Sequence, residues 1–95
     1  MDREEAAAIA ERVISRLRGL GYQALVDTYL DQVEAETVDG SSGVTYQVEI
    51  QAQWDSREPP HLLVMIGVDD GGWRSSFSPV ARSFIITSDG TFIGE

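Results

Sequence analysis

VTYQVEIQAQW, residues 44–54, decides the fold. Val44, Tyr46, Val48, Ile50, Ala52 and Trp54 alternate with Thr45, Gln47, Glu49, Gln51 and Gln53. Successive side chains of a β-strand point to opposite faces, so this run buries one face and leaves the other in water. Such a strand belongs in an antiparallel sheet with helices on one side only.

Strand-like segments continue on both sides of it. Upstream, DGSSG at residues 39–43 is a turn, and Val33, Ala35 and Thr37 before it alternate as a strand near 32–38 does. Downstream, Pro59 and Pro60 close a loop, and HLLVMIGV follows as a nearly unbroken apolar run. A run apolar on both faces predicts a central strand, while the prolines exclude the loop itself from central pairing. WRSSF (residues 73–77) is a short strand candidate, VARSFIIT (80–87) a longer one, and SDGT turns the chain into a last short strand at FIG.

The N-terminus reads as a helix over residues 2–18. Ala6, Ile9, Ala10, Val13, Leu17 and Leu20 recur at three- and four-residue steps, opposite Glu4, Glu11, Arg12, Ser15 and Arg18. Asp2 is placed to cap, and Glu5 to reach back as in a capping box. Acids lead and arginines close the segment, as the helix dipole favours, and Gly19 or Gly21 can end it. Tyr22, Leu25, Val26, Tyr29 and Leu30 fit a second, shorter helix near 22–30. The expected architecture is α+β: one or two N-terminal helices on one face of a four- to five-stranded antiparallel sheet, in a single domain over residues 1–95.

Composition narrows the function. With 95 residues, 42% of them apolar, the chain suits a folded domain, and no apolar run approaches a membrane span. The absence of cysteine removes disulfides, thiolate nucleophiles and cysteine-based metal sites. The opening MDREEAAAIAER has acids where a secretory or mitochondrial leader carries basic residues, so a cytoplasmic location is expected. A formal charge of −9 argues against nucleic acid and anionic membranes as partners. All seven basic residues are arginine, which a GC-rich genome explains; a salt-adapted cytoplasm is the alternative.

Candidate chemistry is sparse, and nothing points to a cofactor. In VDDGGWRSSF, Asp69, Asp70 and Arg74 could meet a cation or polar ligand, but no calcium-loop spacing is present and a turn explains the glycines better. A hydrolase would need His61, the single histidine, as base to Ser75, Ser76, Ser78 or Ser83, none of which sits in a nucleophile elbow. Glu34, Glu36 and Glu49 read as solvated residues of the sheet's polar face. The strongest signal is apolar. Leu62, Val64, Ile66 and Val68 point to one face, which leaves Leu63 and Met65 on the other, joined there by Ile85. A patch of Leu63, Met65 and Ile85 on a sheet face with no helices is a candidate partner surface.

The function expected is therefore that of a small, acidic, soluble, bacterial-type domain without catalytic activity. It would work by protein association or as a homodimer through that face. The alternative is a small-ligand binder with a pocket lined by Tyr22, Tyr29, Tyr46, Trp54 and Trp73.

Overall fold

The computed structural model describes residues 2–55, 60–71 and 79–93. Two helices, α1 (Arg3–Arg18) and α2 (Tyr22–Tyr29), precede five strands: β1 (Val33–Asp39), β2 (Thr45–Trp54), β3 (Leu62–Asp69), β4 (Val80–Ile86) and β5 (Phe92–Ile93). The fold is α+β, as the sequence predicts.

Helix α1 begins where the Asp2 carboxylate accepts the Glu5 amide at 3.1 Å. This satisfies one of the donors left unpaired at a helix start. Glu4 and Glu5 occupy its first turn and Arg16 and Arg18 its last, matching the dipole. Ala6, Ile9, Ala10, Val13 and Leu17 form its buried stripe, whereas Leu20, past the helix end, is exposed. Only half of the expected capping box forms, because the Glu5 side chain is engaged elsewhere. Helix α2 ends at Leu30, and the chain turns through Asp31, at φ 56°, whose amide donates to the Ala52 carbonyl at 2.9 Å. The shift from helical to alternating pattern in this segment is thus a real change of structure within a few residues.

The strands lie in the order β1-β2-β3-β4-β5, every neighbour antiparallel, so β3 is the central strand. Both edges of β3 are occupied, by β2 through Val48↔Val68 and by β4 through Val68↔Val80. WRSSF lies outside the described residues. α1 packs on β3 and β4, and α2 on β2. The core between layers holds Tyr46, Val48, Ile50 and Ala52 from β2, Leu62, Val64, Ile66 and Val68 from β3, and Val80, Phe84 and Ile86 from β4. Ion pairs tie α1 to the sheet on both sides: Arg16 to Glu36 of β1 at 2.9 Å, and Glu11 to Arg82 of β4 at 3.2 Å. Glu34 and Glu36 pair in register with Ile50 and Val48, so they lie on the helix side of the sheet, not on the polar face. Among the described residues no helix is long and apolar enough to cross a membrane.

Candidate functional site

Among the described residues, no helix lies on the second sheet face. Cross-strand register arranges its side chains in rows, since residues directly opposite one another share a face. One row is Gln53, Leu63, Ile85 and Ile93; the next is Gln51, Met65 and Ser83, with Val33 beyond. A third holds Ala35, Glu49, Gly67 and Ala81, and the last Thr37, Gln47 and Asp69. Leu63, Met65 and Ile85 therefore meet on adjacent strands, each half-buried among its neighbours. The patch is larger than the sequence indicated. Ile93, 40% exposed, extends it beyond Ile85, while Val33, 58% exposed, is an apolar group on β1 separated from it by Gln51.

Its polarity is organised by strand. On β2 this face presents Gln47, Glu49, Gln51 and Gln53, whereas β3 and β4 present Leu63, Met65, Gly67, Ala81, Ser83 and Ile85. The apolar surface is a stripe along β3 and β4, bordered by a polar margin on β2. Acids mark one end of it, Asp69 on β3 and Glu49 on β2, and the described strands place no basic side chain on this face.

Gly67 sits in the stripe's row nearest the acids, directly opposite Glu49. Its φ lies outside the left-handed range, and a Cβ built there would meet nothing within 4 Å. Neither backbone geometry nor internal packing requires glycine, although glycine in a strand interior is unfavourable.

The other candidates are placed differently. Glu5 is the centre of a clasp: Ser42 Oγ donates to it at 2.6 Å, the Tyr46 hydroxyl at 2.8 Å, Ser41 Oγ at 3.0 Å and the Ser42 amide at 3.1 Å. Donation from Ser42 and Tyr46, with further bonds from Ser41, holds its carboxyl at a pKa of about 2. Burial of the phenol, then the bond and charge of Glu5, push Tyr46 upward. A carboxylate so saturated is a structural acceptor, unsuited to exchange protons near neutrality. Beside it a cleft of about 570 Å³ is lined by Asp2, Glu4, Arg12 and Asp39 among others.

Of the aromatic residues, Tyr22 and Trp54 meet, with ring centres 6.5 Å apart, and the Tyr22 hydroxyl donates to the Pro60 carbonyl at 2.7 Å. Tyr29 is buried under α2. Tyr46 fills the core beneath the Glu5 clasp, on the strand end opposite Trp54. Trp73 lies outside the described residues. His61 precedes β3, its carbonyl accepting the Asp55 amide at 2.8 Å. Ser83 faces the open side opposite Met65, while Ser75, Ser76, Ser78 and Arg74 lie outside the described residues. The Asp69 carboxylate accepts the Gly71 amide at 2.8 Å, a local bond of the kind aspartate makes at turns. Among the described residues no group of three or more acids and histidines is arranged to hold a metal.

Comparison with known proteins gives no match to any protein family, curated protein or solved structure.

Proposed function

We propose that this chain is a non-catalytic protein-interaction module that binds a protein partner, or a second copy of itself, through the open face of its sheet. The observation that supports this reading is the contiguous set Leu63, Met65, Ile85 and Ile93 on three neighbouring strands, with no helix over it among the described residues. Covering such a patch removes apolar area from water at roughly 25 cal/mol per Å², which favours association without any chemistry at the site.

The test pairs sedimentation with affinity capture, comparing the native chain with a Met65→Arg, Ile85→Arg double variant. Both substitutions lie on the open face, so the variant is expected to keep its melting temperature. A self-associated species or a recovered partner that disappears with the variant supports the proposal. A strict monomer that recovers no partner overturns it.

A further inference from the structure

We infer that the β3–β4 stripe receives a single amphipathic helix of a partner protein, with basic residues directed at Glu49 and Asp69. This rests on reading the open face as an association surface, and it specifies the occupant.

Width is the first argument. Neighbouring strands lie about 4.8 Å apart, so the stripe, two strands wide along β3 and β4 and widened onto β5 by Ile93 at its Leu63 end, matches the roughly 10 Å diameter of one helix. From Leu63 to Asp69 the stripe runs about 20 Å, the length of roughly 13 helical residues. A partner sheet, or the same face of a second copy, would also have to cover Gln47, Glu49, Gln51 and Gln53 on β2. Those side chains would lose water without a defined acceptor or donor, which is costly. A helix along β3 and β4 leaves them solvated at its flank.

Charge is the second argument. The described residues of this face carry Glu49 and Asp69 next to the apolar stripe and no cation, so a second copy laid on it brings more of the same charge. A basic flank on the partner complements it and orients the helix along the stripe. Gly67 is the third. It leaves open space at the acidic end of the stripe, beside Glu49, where a partner backbone can approach closely, as strand glycines often permit.

The experiment titrates the full chain with a labelled synthetic helix of about 14 residues, leucines along one stripe and arginines along its flank. Its counterpart carries glutamate at each arginine position. The arginine peptide is expected to bind at least about fivefold more tightly at low salt, an advantage that shrinks as salt screens it. Glu49→Gln with Asp69→Asn should abolish the difference between peptides. Gly67→Leu should block binding while leaving the melting temperature unreduced. The inference is overturned if the two peptides bind alike, if neither binds, or if Gly67→Leu has no effect. A dimer that Gly67→Leu dissociates would assign the stripe to a second copy, overturning the helix while leaving the association reading standing.

Discussion

The Tyr46 hydroxyl donates to Glu5 Oε1 at 2.8 Å, tying the first turn of α1 to β2 across 41 positions of chain. With the folded pKa near 2 against an ordinary value of 4.5, Glu5 binds fewer protons folded than unfolded through that interval. Its contribution is therefore complete above about pH 4.5 and is lost as pH falls toward 2. Thermal melts from pH 7 to pH 2 should show an acid limb that Glu5→Gln flattens. Tyr46→Phe should shorten that limb from its acid end and reduce its amplitude, since the carboxylate loses a donor and its folded pKa rises toward the ordinary value. Identical acid limbs in all three proteins would assign the acid sensitivity to other carboxylates.

Gly40 lies against the same clasp. A Cβ there would collide with Glu5 Oε1 and lie 2.9 Å from a Tyr46 ring carbon. Gly40→Ala must displace both, and the expected cost is about 1–3 kcal/mol. Gly43, at φ 91° with open space around it, offers a control: Gly43→Ala should cost only the backbone strain, about 1–2 kcal/mol, and leave the acid limb unchanged. Urea denaturation of the two variants at pH 7 and pH 3 separates the effects.

Gly67 carries the opposite expectation. With room for a methyl group and an ordinary φ, Gly67→Ala should stabilise the chain by roughly 0.5–1 kcal/mol, raising the melting temperature by several degrees. A destabilised variant would show that Gly67 serves the fold.

Asp31, at φ 56°, is the non-glycine residue that turns α2 into β1. Aspartate tolerates this region better than branched residues do. Asp31→Gly should be neutral or slightly stabilising, and Asp31→Val should lose about 1 kcal/mol or more, read from the denaturation midpoint.

Patterns that repeat over short distances made the fold legible. Alternation in β2 and the unbroken run in β3 announced a half-wet strand and a central one, and both hold. The stripe of α1 and its Asp2 cap were equally local. The fate of the Glu5 side chain was not, since Ser41, Ser42 and Tyr46 lie 36 to 41 positions away and no local spacing links them. Charge alone sends Glu34 and Glu36 to the solvated face away from the helices, but an edge strand keeps even its helix side partly in water. In fact Glu36 meets Arg16 on the helix side of an edge strand. Leu63, Met65 and Ile85 could be assigned a common face from alternation alone. Ile93 joined them only once the register of β4 with β5 was known.

The uninterrupted strand order has a kinetic consequence. Every ladder joins strands adjacent along the chain, so the sheet can assemble hairpin by hairpin with little loop-closure entropy at each step. Docking α1 on β3 and β4 is the contact that spans most of the sequence, and it belongs late on the folding path. Ile9→Val and Ile66→Val delete equivalent methyl groups from the two sides of one core, each at a cost of about 0.5–1.5 kcal/mol. Stopped-flow measurements should find that Ile66→Val mainly slows folding and Ile9→Val mainly speeds unfolding. The helix would then act as the latch of an already formed sheet, setting how long the native state survives more than how quickly it is reached.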